Sequence, residues 1–284
     1  MSFVIGRKIS DIGSSEPWSA RMWIEILNIR DHAFEKGKTR EDAGYKKSAN
    51  EFDKIYKPLL NNLEDAFKGL QELEDLISRH EKDLTAGKII ETKENQFFVV
   101  APIDQEVRRL FRGFVGALAT ALKQSQYVCA NINTNFDFGF LFAKDDNFKK
   151  GVKAIENNSS VLHELSDLFK SFRVLSTEII TFARNPIEHP KDGFVLPDIE
   201  YDYKKKKISN DFYSKEKLRK YWENSWRFCE IVIVSAFATK IEEPWGIVEI
   251  PKTQRDHNLP VKYKPWIIDD AIIGKIQDHV TSNK

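Results

Sequence analysis

A run of apolar residues at helical spacing, between positions 52 and 84, constrains the fold of this chain more than any other feature. Residues that recur every three or four positions share one face of an α-helix, so the run predicts a long helix that buries one side. Pro58 removes a backbone hydrogen bond, and we therefore expect a kink or a break near it. The apolar positions of the run are Phe52, Ile55, Leu59, Leu63, Phe67, Leu70, Leu73, Ile77 and Leu84.

The same periodicity recurs along the rest of the chain and predicts further helices. They lie at about 17–36, 103–132, 145–157, 160–183, 214–240 and 268–280. Two hairpins are predicted, in IIETKENQFFVVAP (89–102) and in WGIVEIPKTQRDHNLPVKYKPWII (245–268), because short β-favouring runs flank polar turns. The stretch VLPDIEYDYKKKKISNDFY (195–213) is interpreted as two short strands or an extended excursion.

No internal repeat and no linker rich in Gly, Ser or Pro interrupts residues 1–284. We therefore predict a single mainly α-helical domain, an up-and-down bundle of five to seven helices with small β-hairpin excursions. Residues 241–284 are predicted to form a C-terminal hairpin and a short helix. The phenylalanine-rich connector 136–148 is expected to plug the core. Small residues in the third helix are expected to let a neighbouring helix approach closely: Gly113, Gly116, Ala117 and Ala121.

Charge and cysteine content limit the classes of protein to which the chain can belong. The formal net charge is +1, so a nucleic-acid site would have to be a local basic patch. Cys129 and Cys229 both fall in apolar helical stretches, which favours reduced, buried thiols over a disulfide. The N-terminus lacks the pattern of a secretory signal, and the apolar stretch 228–241 is too short to span a bilayer. These features predict a cytoplasmic protein with no membrane partner.

Several catalytic signatures are missing from the sequence. No glycine-rich nucleotide fingerprint, Walker phosphate loop, zinc-ligand spacing or Gly-x-Ser-x-Gly turn is present, so we expect no metal and no cofactor. All but one of the histidines are interpreted as solvated or locally hydrogen-bonded, on polar helix faces or in a turn. They are His32, His80, His163, His257 and His279.

The peptide FARNPIEHP (182–190) collects polar side chains at a predicted turn. Proline disfavours the helical conformation of the residue before it, so Asn185 is expected to leave the preceding helix. Asn185 and Glu188 can then cap a new turn. In this purely structural interpretation Arg184 neutralises carbonyl groups at the helix end, and His189 caps the turn or faces solvent.

The pattern Arg184-Asn185-x-x-x-His189 resembles the signature of the HEPN superfamily, in which four to six residues separate an arginine from a histidine and a polar residue usually follows the arginine. HEPN domains are up-and-down helical bundles, so the resemblance implies such a core at about 45–240. It also implies a metal-independent endoribonuclease of a toxin or phage-defence type. Such an enzyme would act as a homodimer and could have a protein antitoxin or inhibitor as its partner.

The resemblance assigns roles to four residues. His189 would take the proton from a ribose 2′-hydroxyl or give one to the leaving oxygen, and Arg184 would stabilise the charge on the scissile phosphate. Asn185 would orient either partner by hydrogen bonding, and Glu188 would tune the histidine. The products would be a 2′,3′-cyclic phosphate and a 5′-hydroxyl.

A basic and aromatic stretch near the motif could hold the RNA. Tyr201 and Tyr203 could stack on bases, and four consecutive lysines could contact phosphates. These lysines are Lys204, Lys205, Lys206 and Lys207. A solvated hairpin tip explains the same residues. Weaker candidates of the same kind are Lys262-Tyr263-Lys264 and Arg108-Arg109-Arg112.

Two other classes of function stay open. The chain could be a non-catalytic helical interaction or RNA-binding protein with a HEPN-like fold, in which Arg184 and His189 are structural or bind a ligand. Alternatively, a pocket among the aromatic residues of the bundle could serve a small-molecule enzyme. Convergence of the two side chains on a groove at a twofold interface would favour the nuclease, whereas separate salt bridges would oppose it.

Overall fold

The fold is a mainly α-helical bundle with small hairpins. The computed structural model describes residues 17–34, 43–94, 96–134, 136–158, 160–183, 196–202, 204–205, 207–209, 211–241, 245–255 and 261–267. These ranges contain six α-helices, which confirms the predicted fold class and the predicted number of helices. The helices are α1 (Pro17–Phe34), α2 (Ala43–Thr85), α3 (Asp104–Ile132), α4 (Asp145–Asn158), α5 (Ser160–Ala183) and α6 (Lys215–Ala238).

Three antiparallel two-stranded sheets lie between the helices or after them in the described part of the chain. They pair β1 (Ile90–Lys93) with β2 (Gln96–Val99), β3 (Tyr201–Asp202) with β4 (Lys207–Ile208), and β5 (Trp245–Glu249) with β6 (Tyr263–Ile267). Both predicted hairpins and the predicted excursion are therefore confirmed as short strand pairs. The terminal helix predicted at 268–280 lies outside the described residues.

Contacts along the backbone divide the chain into two compact units. The first comprises Met1–Leu60, Lys123–Leu168 and Cys229–Lys284, and the second comprises Asn61–Leu122 and Phe169–Phe228. Helices α2, α3, α5 and α6 contribute residues to both units. The single domain expected from the sequence stays a prediction.

Aromatic side chains form the centre of the first unit. Phe52 is fully buried, and its ring centroid lies 6.4 Å from that of Phe34 and 5.5 Å from that of Phe237. The core-plugging role predicted for the phenylalanine-rich connector is confirmed in its described part, because Phe136 and Phe138 are 3% and 0% exposed. Residues from α1, α2, α6 and the connector thus share this interior.

The second unit is also held by aromatic packing, with a paired charge at its surface. Phe172 of α5 stacks on Phe228 of α6 with ring centroids 4.1 Å apart. Arg219 of α6 donates to both carboxylate oxygens of Glu74 on α2, at 2.7 and 2.9 Å. A bidentate pair of this kind fixes the orientation of two side chains as well as their separation.

Of the kink or break expected near Pro58, the break is absent, and the kink stays a prediction. α2 continues through Pro58, although an interior proline costs an isolated helix about 3 kcal/mol. Tyr56 and Leu59, on either side of the proline, are fully buried. Their packing offsets the lost backbone hydrogen bond, so tertiary contacts keep the helix continuous where local propensity predicted an interruption.

The packing role expected of the glycines in α3 is wrong. A Cβ atom built at Gly113 or Gly116 would meet no atom of the described residues within 4 Å. The close approach occurs instead at Gly151 of α4, where an added Cβ would overlap the ring of Phe140. Helical spacing places a glycine on a face, but it does not show which glycine has a neighbour.

Candidate functional site

The predicted catalytic motif follows α5 directly in the sequence. α5 ends at Ala183, and residues 184–195 lie outside the described part of the chain. Four predicted catalytic residues fall in this range: Arg184, Asn185, Glu188 and His189. Their roles stay predictions. The described residues include the end of the helix that precedes them.

Five aromatic side chains surround this helix end, and we call them the α5-end cluster: Phe111, Phe182, Phe212, Tyr213 and Tyr221. Phe182 is the next-to-last residue of α5. Its ring centroid lies 5.7 Å from that of Phe111 on α3 and 5.2 Å from that of Phe212. Tyr221 on α6 lies at 6.3 Å. Aromatic contacts from three other elements therefore fix the last turn of α5.

Hydrogen bonds satisfy the hydroxyl groups of both tyrosines in the cluster. Tyr221 Oη donates to Glu178 Oε2 at 2.6 Å, and Tyr213 Oη donates to the carbonyl oxygen of Pro197 at 2.9 Å. Burial raises the pKa of Tyr221, and it raises the pKa of Tyr213 to about 12. Both hydroxyls are therefore protonated at neutral pH and act as hydrogen-bond donors.

The arginines 108, 109 and 112, weaker candidates for RNA binding, differ in their surroundings. Arg108 forms an ion pair with Asp198. Arg109 and Arg112 are exposed. Arg108 and Arg112 both act electrostatically on the Tyr213 phenol and lower its pKa, against the larger effect of burial. Asp104 acts on the same phenol in the opposite direction, so charges of both signs lie near Tyr213.

The described part of the predicted RNA-binding hairpin is organised by Asp202. The backbone N–H groups of Lys205 and Lys204 each donate to Asp202 Oδ1 at 3.0 Å, and these bonds lower the pKa of its carboxyl group. The side chains of both lysines are exposed. Outside the described residues lie Tyr203, Lys206 and the side chain of Lys207.

Tyr201, at the base of the same hairpin, is half-buried against α2. Its Oη and Nε2 of His80 are hydrogen-bonded at 3.0 Å. His80 is only 6% exposed, so the prediction that it lies on a polar helix face is wrong. Burial lowers the pKa of its imidazole. The residue that covers it lies 121 positions along the chain, where helical periodicity could not locate it.

A buried group of three charged side chains lies in the first unit, and we call it the Arg21 centre: Arg21, Glu25 and Glu230. They are 6%, 0% and 0% exposed. Arg21 forms ion pairs with both carboxylates, at 3.4 Å to Glu25 Oε2 and more closely with Glu230. The backbone N–H groups of Lys262 and Tyr263, at the start of β6, donate to Glu25 Oε2 at 2.6 and 2.8 Å.

The Arg21 centre has one cation for two carboxylates and too few hydrogen-bond donors. Glu25 Oε1 and Glu230 Oε2 are buried and accept no hydrogen bond from the described residues. Burial, reinforced by the charge of Glu230, raises the pKa of Glu25 to about 7. Burial raises the pKa of Tyr56 well above its ordinary value, and both carboxylates add to this effect. Its Oη donates to the carbonyl oxygen of Met22 at 3.1 Å.

Sequence reasoning missed this centre, although two signals point to it. Arg21 and Glu25 are four residues apart within the apolar face of α1, and Glu230 is the single acid in the apolar run FCEIVIV. A charge on an apolar face is rarely buried without a partner. The two signals lie more than 200 positions apart, so their partnership follows from the fold alone.

The two cysteines are buried and free, as predicted from their apolar surroundings. Burial raises the pKa of Cys129 well above its ordinary value, and it raises the pKa of Cys229 to about 12. Because the thiolate is the reactive form of cysteine, neither residue is a candidate nucleophile.

Comparisons with known proteins identify no relative of this chain. No protein-family model matches it, and neither the curated proteins nor the solved structures contain a match. Among the described helices, none has both the length and the apolar character needed to cross a membrane. The same part of the chain contains no group of three His, Cys, Asp or Glu side chains arranged to hold a metal ion.

Proposed function

We propose that the protein is a HEPN-like, metal-independent endoribonuclease that acts as a homodimer in the cytoplasm. The observation that carries the proposal is the position of the Arg184-Asn185-x-x-x-His189 pattern, which begins at the residue after α5 in a mainly helical bundle. The contacts of Phe182 support it, because aromatic rings pack on the last turn of the helix that directly precedes the motif.

The proposed reaction is an intramolecular transesterification of RNA. His189 of one protomer takes the proton of a ribose 2′-hydroxyl, whose oxygen attacks the adjacent phosphorus. The bond from phosphorus to the 5′-oxygen breaks, and the His189 imidazolium of the other protomer gives its proton to that oxygen. Arg184 stabilises the additional negative charge of the transition state. Asn185 and Glu188 orient the arginine and the histidine.

The biological role proposed with this activity is that of a toxin or a phage-defence nuclease. A protein antitoxin or inhibitor would then be the partner that keeps the enzyme silent. The resemblance of the 184–189 motif to the HEPN signature carries this part of the proposal.

The proposed activity is tested by incubating the purified protein with labelled single-stranded RNA in excess chelator. Wild type is expected to produce fragments with 2′,3′-cyclic phosphate and 5′-hydroxyl ends. His189→Ala should reduce the rate by about 100-fold or more, because it removes the general acid and base. His32→Ala, the same change in α1, is the matched control and should retain full activity. Equal rates for wild type and His189→Ala would refute the mechanism.

A non-catalytic interaction protein with a HEPN-like fold is the alternative. Exposed apolar side chains on and after β2 favour it, since Phe98 is 45% and Val100 49% exposed. Such side chains grouped at a surface are typical of protein interaction sites. An oligomer that Phe98→Ser dissociates in sedimentation, combined with no cleavage of RNA by wild type, would favour this alternative. A sedimentation coefficient unchanged by the substitution would count against it.

A further inference from the structure

Lys217 of α6 places a cation on the α5-end cluster without an acidic partner. Its Nζ lies 5.0 Å from the ring centroid of Phe212 and 5.8 Å from that of Tyr221. Among the described residues, no carboxylate forms an ion pair with this ammonium group. By contrast, the guanidinium of Arg219, two positions along the same helix, is held by both oxygens of Glu74. Within the described ranges, Lys217 thus contacts aromatic rings and no carboxylate.

Arg112 supplies a second cation at the same cluster from α3. Its side chain is exposed, forms no ion pair within the described ranges, and acts electrostatically on the Tyr213 phenol. Tyr213 and Phe212 are consecutive, and their ring centroids are 4.9 Å apart. Lys217 thus contacts the Phe212 ring, and Arg112, on a different helix, is near enough to act on the neighbouring Tyr213.

A partly accessible ring near two cations has the chemistry that binds single-stranded nucleic acid. Cations contact the phosphates, and an aromatic face stacks on a base without regard to its identity. Phe212 is half-buried, whereas Tyr213 is buried, so Phe212 is the more accessible of the two rings. Lys217 already lies near that ring, in a cation–π contact that a neighbouring phosphate would not disrupt.

This group lies close to the end of α5. The ring centroids of Phe212 and Phe182 are 5.2 Å apart, and Phe182 precedes Arg184 by two positions in the sequence. Lys217 Nζ lies 5.0 Å from the Phe212 centroid, so the Phe212 ring links this ammonium group to the last turn of α5. A strand held by these residues would run past the last turn of α5.

We propose that Lys217, Arg112 and the ring of Phe212 form a docking surface for single-stranded RNA. The two cations bind backbone phosphates and the ring stacks on one base. The proposal rests on the proposed function, to which it adds the residues that position the substrate. Because these residues bind the strand in the ground state and in the transition state alike, their loss raises KM and leaves kcat nearly unchanged.

Binding is measured by fluorescence anisotropy with labelled single-stranded 2′-O-methyl RNA, which lacks the nucleophilic hydroxyl and stays intact. Lys217→Ala is expected to weaken binding about fivefold and to reduce the slope of log Kd against log salt concentration by about 0.7, the value for one phosphate contact on a single strand. Arg112→Ala should act similarly. Phe212→Leu should weaken binding but keep the wild-type slope, since it removes stacking and no charge.

Lys220→Ala is the matched control because Lys220 is an exposed lysine one turn along α6. It should preserve both the affinity and the salt slope, and Lys217→Arg should restore the slope. Thermal unfolding followed by circular dichroism checks that each variant is folded. Equal Kd and slope values for Lys217→Ala and Lys220→Ala, or no binding by wild type, would overturn the docking surface.

The two proposals fail in different ways. If His189→Ala abolishes cleavage while Lys217→Ala changes neither Kd nor KM, the docking surface is wrong and the proposed nuclease stands. If Lys217→Ala weakens binding as expected while wild type cleaves no RNA, the docking surface stands. The proposed nuclease activity is then wrong, and the non-catalytic RNA-binding alternative replaces it.

Discussion

The Arg21 centre and the α5-end cluster place charged groups in opposite environments. In the Arg21 centre, three charges are almost completely buried and two carboxylates share one guanidinium. At the α5-end cluster, aromatic rings pack together, while Arg112 is exposed and Lys217 is half-buried. Burying a charge costs several kcal/mol unless it is well paired, whereas an exposed cation keeps its hydration until a ligand binds.

The comparison teaches which charges serve folding and which are available for binding. The Arg21 centre ties α1 to α6 through ion pairs and to β6 through the hydrogen bonds that Glu25 accepts. Its charges are used within the fold. At the α5-end cluster, by contrast, Lys217 and Arg112 form no ion pair with a carboxylate of the described residues. The following substitutions test this division, from the largest expected effect to the smallest.

Removing the shared cation should have the largest effect on stability. Arg21→Met leaves two buried carboxylates without a counter-charge, and we expect it to lower the free energy of unfolding by about 3–5 kcal/mol. Urea unfolding followed by circular dichroism measures this change. Arg219→Met is the control, because it removes an arginine whose ion pair is exposed, and it should change stability little. Equal losses in the two variants would contradict the distinction between buried and exposed pairs.

The buried proton of Glu25 should make stability depend on pH. Between its ordinary pKa of 4.5 and its folded pKa of about 7, the folded chain holds a proton that the unfolded chain has lost. The contribution is fully present below pH 4.5, declines as the pH rises to 7, and is absent above it. At its largest, this proton contributes about 3 kcal/mol to the free energy of unfolding.

This dependence is checked by urea unfolding at several pH values between 4.5 and 8. The free energy of unfolding of wild type should fall by about 3 kcal/mol across that interval. Glu25→Gln cannot ionise and keeps a similar volume, so it should not show this decline. Glu178→Gln, whose carboxylate accepts from Tyr221 beside the α5-end cluster, is the control from the second unit. A decline that persists unchanged in Glu25→Gln would assign the effect to another group.

Glycine substitutions extend the comparison of the two units to helix packing. Gly151→Ala in the first unit should destabilise the protein by about 2 kcal/mol, because its Cβ overlaps the Phe140 ring. Gly113→Ala in the second unit should stabilise it by about 0.5–1 kcal/mol, since alanine favours the helix and open space surrounds the position. Thermal unfolding measures both. Changes of the same sign would show that the space around the two glycines does not decide the effect.

Most of the secondary structure could be predicted from local pattern. The start of α3 at Asp104 and the span of α4 follow from polar helix starts and apolar spacing, both of which are local properties. The hairpins follow for the same reason. The continuity of α2 through Pro58 could not be predicted, because the packing that offsets the proline comes from residues distant in sequence.

Much less of the candidate site could be predicted. The sequence pointed to the 184–189 motif and to the basic hairpin, and it did not indicate the rings that pack on Phe182. Phe111, Phe182 and Phe212 lie in three separate elements, and each is unremarkable in its own segment. Lys217 has the same sequence signal as the exposed Lys220, and only the position of a ring distinguishes them.

The sequence by itself determined the helices, the short hairpins and the buried state of both thiols, because each depends on the spacing or the apolarity of neighbouring residues. The tertiary structure decided which charges are buried together and which are left at the surface. Arg21, Glu25 and Glu230 became one centre only when α1 and α6 packed together. Electrostatic interactions depend on distance and burial, and the fold sets both for residues far apart in the chain.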